Sequence, residues 1–421
     1  MSLFSLPREP APSTDVTSWY FQRIESSSAI NTNPQQLAGS TIRFHVQPSG
    51  RRWFVPARSY FKVRFTIDPG LLPLGVTPSM GFGGNLFRTA EVRIGGTTVS
   101  QINTNMAQID AMNARSKKAS SWLDRTGDVL NGWKPNYTND RGIEAAKADQ
   151  EIDWTPPLGF FNIEHGLPGM NYDISLTVNP QFQTQCVTSI STTDEAGNYV
   201  LNITEISFHA AFVEGPRADD EKFVLNINEW TCQNQVINNS ASDTLNQFDV
   251  APSTNVLAVA FQDTRLSDTR VSASRFRVLD AVAPDPTSGS LYGLELKLNN
   301  FYLEYGGKQY PNRFASPNYS ATAQQLTQQY LETQLNTGVY FLSGGGEQLA
   351  AFISRGPYLF YQTPKDATDQ STRVHVHSTF SDTIANMNCL LFSRAPKAYL
   401  VRTSDSRVVQ VEGTINSVRQ R

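Results

Sequence analysis

The stretch FRTAEVRIGGTTVSQINTNMAQIDAMNARSKKASSWL, residues Phe87 to Leu123, decides the fold. Ala90 to Ile94 and Thr97 to Ile102 are rich in β-branched residues. The pair Gly95-Gly96 between them predicts a tight hairpin, because glycine accepts a positive φ without a Cβ penalty. Apolar residues then recur with the spacing of one helical face, at Ile102, Met106, Ile109 and Met112. The stretch therefore predicts a strand, a turn, a strand and an amphipathic helix.

The same unit returns in NNFYLEYGGKQYPNRFASPNYSATAQQLTQQYLETQLNTG, residues Asn299 to Gly338. Phe301 to Tyr305 predicts a strand, and Gly306-Gly307 predicts the turn, 211 residues after the first glycine pair (95 to 306). Ser320 can cap a helix that carries Leu326, Tyr330 and Leu335 and ends at Gly338. The offset of 211 residues between the two glycine pairs is half of the 421-residue chain.

Two shorter internal sequence matches occur in the same order along the two halves of the chain. FHVQPS begins at Phe44 and FDVAPS at Phe248, and Met170-Asn171 precedes one predicted late strand as Met387-Asn388 precedes another. Each match alone is short enough to arise by chance. Together with the glycine pairs they favour an ancient tandem duplication.

Length and composition agree with two domains. A chain of 421 residues is too long for one hydrophobic core and predicts two domains of about 200 residues each. Hydrophobic residues make up 39% and charged residues 17%, with a formal net charge of −3 and a pI near 6.0. No global field would therefore draw the chain to nucleic acid. Arg51-Arg52 and the run from Arg115 to Lys118 are interpreted as solvated surface rather than phosphate sites.

The cysteine pattern and the N-terminal sequence limit the class of protein further. Cys186, Cys232 and Cys389 are far apart and odd in number, and no metal-binding spacing joins them, so reduced, partly buried thiols are expected. The N-terminus has no basic start followed by an apolar run, and no window approaches eighteen apolar residues. We expect neither a signal peptide nor a membrane span, and synthesis in the cell interior without secretion.

Strand signals recur through both halves at the spacing of a β-sandwich, about eight in each half. Asp124 to Asp153 is interpreted as a long excursion, and the predicted strands include Leu158 to Ile163, Phe223 to Ile227, Val236 to Ile237, Gly338 to Leu342, Cys389 to Phe392 and Ala398 to Arg402. The predicted fold is mainly β: two tandem eight-stranded jelly-roll sandwiches, each with a short flanking helix. The expected domains are an extended N-terminal arm at 1–38, jelly rolls at 39–215 and 216–412, and a C-terminal tail at 413–421.

Several stretches then resemble a known family. STIRFHVQPSGRRWFVPARSYFKVRFTI, NLFRTAEVRIGGTTVS and LGFFNIEHGLPGMNYDISLTV in the first half are similar, in that order, to elements of double jelly-roll major capsid proteins of tailless icosahedral DNA viruses. In the second half the similar elements are LYGLELKLNNFYLEYGGKQYPN and VHVHSTFSDTIANMNCLLFSRAPKAYLVRTSDSRVVQV. The resemblance is greatest to the polinton-like virus and virophage group.

The resemblance implies a structural role without chemistry. It implies a homotrimer whose six jelly rolls form a pseudo-hexameric tile, trimers that tile an icosahedral shell around a DNA genome, and a location in the virion. It also implies penton and minor capsid proteins as partners, and no sequence-specific binding of nucleic acid. An internal membrane is compatible with it but not indicated by the sequence.

No catalytic, cofactor-binding or metal residue is assigned, and no cofactor is expected. His375 and His377 share one face of a predicted strand and could begin a metal site, but no other histidine has a spacing that completes it. Gly344 to Gly346 lacks the lysine and the long helix of a phosphate loop and is interpreted as a mobile loop. The acidic pairs Asp219-Asp220 and Asp263 with Asp268 suit turns as well as acid-base chemistry. DTRLSDTR, 263–270, is explained by ion pairing in a loop.

Two other classes of function stay open. One is a β-sandwich that binds or cleaves carbohydrate, although the six tryptophans are scattered rather than grouped as a sugar platform. The other is a single-jelly-roll capsid protein with an appended domain. Such proteins commonly carry an Arg-rich arm, and the first 38 residues here contain only Arg8 and Arg23 as cations.

Overall fold

A computed structural model describes the chain over 19–30, 32–48, 51–68, 76–78, 81–118, 150–189, 200–214, 222–237, 244–252, 254–263, 298–315, 327–342, 345–346, 349, 352, 358–363, 372–380, 387–403 and 407–411. The fold is mainly β, with four antiparallel sheets of four or five strands and one two-stranded ribbon. The helix-capping Ser320 and most of the predicted excursion at 124–153 lie outside the described residues.

Eleven strands lie in the described residues of the first half. They are β1 Trp19–Ile24, β2 Thr41–Val46, β3 Arg52–Phe54, β4 Tyr60–Asp68, β5 Val76–Pro78, β6 Phe87–Ile94, β7 Thr97–Ile102, β8 Gln150–Trp154, β9 Tyr172–Val178, β10 Val187–Ser189 and β11 Val200–Glu214. Sheet 1 has the order β1-β11-β4-β8 with β3 also on β11, sheet 2 has the order β2-β9-β6-β7, and β5 pairs with β10. Phe44 of sheet 2 packs 5.3 Å from Phe61 of sheet 1, so the two sheets form a sandwich.

In the second half, the part of the chain that the structure describes contains nine strands. They are β12 Lys222–Ile237, β13 Thr244–Asp249, β14 Val256–Asp263, β15 Leu298–Tyr305, β16 Lys308–Ala315, β17 Tyr358–Gln362, β18 Arg373–Phe380, β19 Met387–Arg402 and β20 Arg407–Val411. Sheet 3 has the order β12-β19-β14-β17 with β20 also on β19, and sheet 4 has the order β13-β18-β15-β16. Phe261 of sheet 3 lies 6.4 Å from Phe301 of sheet 4 in the second sandwich.

The two sandwiches have the same topology. Sheet 2 corresponds strand by strand to sheet 4, and the four-strand path of sheet 1 corresponds to that of sheet 3, whereas the fifth strands, β3 and β20, lie at different places in the chain order. The predicted hairpins are confirmed: Gly95 and Gly96 have φ of 55° and 84°, and Gly306 and Gly307 have φ of 58° and 69°. FHVQPS and FDVAPS begin within the equivalent strands β2 and β13. The Met-Asn match fails, because Met170 precedes β9 of sheet 2 whereas Met387 begins β19 of sheet 3.

Five α-helices lie in the described chain: α1 Pro34–Leu37, α2 Phe82–Leu86, α3 Met106–Lys117, α4 Phe182–Gln185 and α5 Thr327–Thr337. The flanking helices predicted after both hairpins are α3 and α5, and α5 ends before Gly338, whose φ is 80°. Two predicted strands are wrong. Gly159–Asn162 and Val339–Phe341 are 3₁₀ turns, the first closely packed on β12 and the second started by the left-handed Gly338.

Other strand boundaries differ from the sequence pattern. Phe223 to Ile227 and Val236 to Ile237, predicted as separate strands, are parts of the continuous sixteen-residue β12. Cys389 to Phe392 and Ala398 to Arg402 are likewise parts of β19. Within the segment 1–38 predicted as an extended arm, Trp19–Ile24 forms β1 and pairs antiparallel with β11 of the same chain.

Sheet 3 is buried on both faces along β14 and the adjoining part of β19. Leu257, Val259 and Leu391 belong to the core of the second sandwich, whereas Ala258 and Phe392, on the opposite face, join the large core that also contains the first sandwich. This arrangement accounts for the continuous apolar runs VLAVAF at 256–261 and CLLF at 389–392, because a strand covered on both sides does not alternate. The first sandwich and the outer face of sheet 3 therefore share one hydrophobic core, which is separate from the core inside the second sandwich.

Candidate functional site

The junction of the two sandwiches is the most elaborate polar and aromatic arrangement in the described chain. Helix α3 of the first sandwich packs against β12 and α5 of the second, and the 3₁₀ turn Gly159–Asn162 also packs against β12. A Cβ on Gly159 would lie 2.4 Å from the carbonyl oxygen of Asn228. Only glycine fits such an approach between two backbones.

Arg115 and Ser116 correct the prediction of a solvated basic cluster. Arg115 is 1% exposed and Ser116 3%, because the C-terminal turn of α3 faces the second sandwich. The guanidinium carbon of Arg115 lies 4.7 Å from the ring centroid of Tyr358 and 5.9 Å from that of Phe352. The Tyr358 hydroxyl donates to the carbonyl oxygen of Arg115 at 3.3 Å. Arginine is usually exposed at the protein surface, but Arg115 is buried and joins the two sandwiches.

Glu229 on β12 is a second buried polar contact at the junction. It is 2% exposed, and its Oε1 accepts a hydrogen bond from the hydroxyl of Ser100 on β7. The backbone N–H of Phe160 donates to that hydroxyl oxygen at 3.4 Å. Nearby, the side-chain amide of Asn105 donates to the carbonyl oxygen of Cys232 at 2.9 Å. The Ser100–Glu229 and Asn105–Cys232 hydrogen bonds join the first sandwich to the second, and the Phe160–Ser100 hydrogen bond supports the first of them.

Helix α5 covers the outer edge of sheet 3. Strand β17 pairs with β14 in the sheet order, and α5 lies along its other edge. Thr333 donates to the carbonyl oxygen of Tyr358 at 3.2 Å and Asn336 to that of Phe360 at 2.9 Å. The side chain of Gln362 donates back to the carbonyl oxygen of Asn336 at 2.6 Å. The helix thereby occupies backbone acceptors that would otherwise invite another strand.

Two groups of exposed apolar side chains stand out in the second sandwich, besides the exposed Val236 and Leu245. Leu331 and Leu335 of α5 precede the consecutive residues Tyr340, Phe341 and Leu342, and Phe341 is 76% exposed. We call these five residues the α5 knob. Val224, Leu400 and Val409 are direct neighbours across β12, β19 and β20 and form an exposed apolar row. Exposed apolar groups of this kind mark contact surfaces more often than scattered single residues do.

His375 and His377 lie on one face of β18, as the sequence predicts, and meet a residue that sequence reasoning missed. His375 Nδ1 and His377 Nε2 lie 3.8 and 3.7 Å from Oε2 of Glu304 on β15. The ring of Tyr302 stacks on His377 with 4.3 Å between centroids. The strand register that joins 304 to 375 is not readable from local sequence. The described residues contain no group of three or more His, Cys, Asp or Glu that could hold a metal ion.

The other candidate residues are not brought together. Asp219, Asp220, Gly344 and most of the repeat at 263–270 lie outside the described residues. Cys186, Cys232 and Cys389 are free thiols and fully buried, which confirms the reduced state and exceeds the partial burial that was expected. Arg51 and Arg52 are exposed, and the Arg52 guanidinium lies 5.4 Å from the ring centroid of Tyr20. No helix among the described residues is long and apolar enough to cross a membrane.

Comparisons with known proteins identify the fold by structure and not by sequence. No family model and no curated protein sequence matches the chain. The crystal structure of the mavirus major capsid protein superposes with a TM-score of 0.56 at 12% identity, covering 95% of this chain and 92% of that one. The cryo-EM structure of the Sputnik virophage gives 0.54 at 12%, covering 98% and 92%. The quasi-atomic model of the PBCV-1 virus capsid gives 0.56 at 9%, covering 94% and 97%.

The chain has the double jelly-roll fold. Two sandwiches of equal topology lie in tandem, and the superpositions cover both of them with little left over on either side. The structural neighbours at this coverage are double jelly-roll major capsid proteins.

Proposed function

We propose that this chain is a major capsid protein. The observation that carries the proposal is the double jelly roll itself, matched over at least 94% of the chain by capsid proteins of virophages and of PBCV-1. The carbohydrate-binding sandwich and the single jelly roll with an appended domain are not favoured, because the second half repeats the topology of the first.

In this proposal three copies form a pseudo-hexameric trimer, and trimers tile an icosahedral shell around a DNA genome. The core that joins the first sandwich to sheet 3 supports the tile, because it sets how the two sandwiches are oriented when they present their surfaces to neighbouring subunits. The α5 knob and the exposed apolar row supply surfaces for subunit contacts, which in obligate assemblies are large and fairly apolar. Penton and minor capsid proteins complete the set of partners.

The proposed role requires no catalysis, cofactor or metal. The chain would be made in the interior of the host cell and reside in the virion shell. Of the domain limits expected from the sequence, jelly rolls at 39–215 and 216–412 and a tail at 413–421 remain proposed, whereas the arm at 1–38 is shortened because Trp19–Ile24 forms β1 of sheet 1. Strand β11 ends at Glu214 and β12 begins at Lys222, which supports a junction between them.

The mass of the purified protein in solution tests the proposal. Size exclusion with light scattering should give a trimer, near three times the 46.7 kDa of the chain, or larger shells. Negative-stain images of the larger species should show tiles of six-fold outline. A stable monomer at high micromolar concentration, or one that binds or hydrolyses a glycan, would refute the assignment.

A further inference from the structure

Glu229 lies where three backbone segments of the two sandwiches meet. It belongs to β12, and it faces Ser100 of β7 and the 3₁₀ turn that begins at Gly159. Its carboxyl group is 2% exposed, and Oε2 has no hydrogen-bond partner among the described residues. A buried carboxylate oxygen without a partner carries a large desolvation cost when the group is ionised.

The protonation of Glu229 is balanced near neutrality. Burial raises its pKa to about 7, although the Ser100 hydroxyl, Lys397 and the backbone amides of Gly159 and Gln101 all favour the ionised form. The neutral acid is therefore the form that the closed junction accommodates best.

We propose that Glu229 is a proton-dependent latch between the two sandwiches. When neutral, it lets β12 pack tightly on β7 and on the turn at Gly159. When ionised, it favours a looser junction in which water reaches Oε2. This inference concerns one chain and does not depend on the proposed function. If the chain forms a shell, the latch would make the shape of each tile sensitive to pH.

The groups around Glu229 define the pH window. On β19, Lys397 and Tyr399 face it, and burial together with Glu229 raises the pKa of Tyr399 to about 12. On α3, burial and the neighbouring cations lower the pKa of Lys117 to about 8, a shift that Glu229 opposes. No charged side chain of β7 or of the turn at Gly159 is among the causes of the Glu229 shift. Below about pH 7.5 both Lys117 and Tyr399 largely keep their protons, so Glu229 is the one of these three groups that titrates.

The sign of the effect follows from the two pKa values. An ordinary glutamate pKa of 4.5 in the open junction and about 7 in the closed one mean that the closed form binds more protons between these values. Closure therefore weakens as the pH rises through this range and changes no further above it. From about pH 5.5 to about pH 7.5 the opening equilibrium should rise by about twentyfold.

Hydrogen–deuterium exchange, corrected for intrinsic rates, measures this opening. In the full-length protein, peptides covering β7 and Gly159–Asn162 should lose protection by about tenfold to twentyfold between about pH 5.5 and about pH 7.5. Peptides of sheet 4, away from the junction, should not. Glu229→Gln should abolish the change at the junction. Asp110→Asn, which alters a buried carboxyl within the first sandwich, should leave it in place.

A second variant keeps the test decisive if Glu229→Gln does not fold. Lys397→Gln removes a cation that lowers the Glu229 pKa, so the midpoint of the exchange change should move to higher pH. The proposal is overturned if the wild-type junction shows no pH-dependent change, if Glu229→Gln shows the same change, or if Lys397→Gln leaves the midpoint where it is.

Discussion

The guanidinium group of Arg115 stacks over the ring of Tyr358 at 4.7 Å, and the Tyr358 hydroxyl donates to the backbone carbonyl of Arg115. The two residues are 243 positions apart, and they belong to different sandwiches. Both are fully buried. A charge removed from water is tolerated only with compensating partners, so this pair defines how α3 and β17 are oriented to one another.

Truncation of Arg115 should destabilise the protein strongly. Arg115→Ala removes a buried side chain and its cation–π contact, and we expect a loss of about 3 kcal/mol in the free energy of unfolding. Arg115→Met keeps much of the volume without a charge and should cost less than half of that, since apolar replacements of buried ions are often well tolerated. Urea denaturation measures both. Equal losses for the two variants would show that the charge, not the packing, is the essential feature.

Gly159→Ala should loosen the same junction from the other side. The added Cβ would meet the carbonyl oxygen of Asn228 at 2.4 Å and a methyl carbon of Ile227 at 2.5 Å, so a backbone must move. We expect a loss of about 2–3 kcal/mol. Gly307→Ala is the control, because its Cβ would meet nothing within 4 Å and its φ of 69° alone costs about 1 kcal/mol. Thermal melts in which the control loses more than Gly159→Ala would contradict the close approach.

The hairpins, the repeat and the sandwich pattern could be predicted from sequence because they depend on local chemistry. Gly95-Gly96 requires positive φ at both positions, and β4 alternates cleanly, with Phe61 and Val63 among its inward residues at 0% exposure. These signals lie within a few residues of one another, so no tertiary information is needed to recognise them.

The junction could not be predicted because its signals are non-local. Arg115 lies in a run of cations, and only its position under Tyr358 makes it a core residue. The 3₁₀ turn Gly159–Asn162 overlaps a strand-like apolar run, LGFF at 158–161, whose glycine is required by a backbone from the other sandwich. The unbroken apolar runs of sheet 3 are typical of strands covered on both faces, but the same runs are also typical of a buried helix. The sequence alone therefore does not predict this burial.

Asp110 should make stability depend on pH. It is fully buried on α3, Trp154 donates to its Oδ2 at 3.3 Å, and burial raises its pKa to about 7. The ordinary value is 3.8, so the folded state binds more protons between the two, and stability falls as the pH rises from about 4 to about 7. Asp110→Asn should remove up to about 4 kcal/mol of this decline. Denaturation curves from pH 5 to 8 that stay parallel for the two proteins would exclude the effect.

Asn336→Ala should uncover the edge of sheet 3. The variant loses the hydrogen bond to the carbonyl oxygen of Phe360, with an expected cost of about 1 kcal/mol, and it frees an acceptor on an edge strand. We therefore expect faster aggregation on mild heating, and light scattering measures its rate. Thr337→Ala is the matched control, because its hydroxyl donates within the helix to Gln334. Aggregation of both variants at one rate would indicate a general loss of stability of α5 instead.

Phe341→Ser should separate folding from assembly. Phe341 is 76% exposed at the tip of the α5 knob, and its ring packs edge-on against Tyr340, itself half exposed, so its removal leaves the core intact and should change the melting temperature of the monomer very little. If the knob is buried between subunits, loss of an aromatic anchor should weaken association by about 2 kcal/mol, or about thirtyfold in the dissociation constant. Light scattering across a dilution series would show this as a shift from trimer to monomer. Phe21→Ser, at a residue 58% exposed on β1, is the control and should keep the wild-type distribution. If Phe341→Ser forms a trimer of wild-type affinity, the α5 knob is not part of the subunit contact. The capsid assignment is then tested by the mass of the assembly alone.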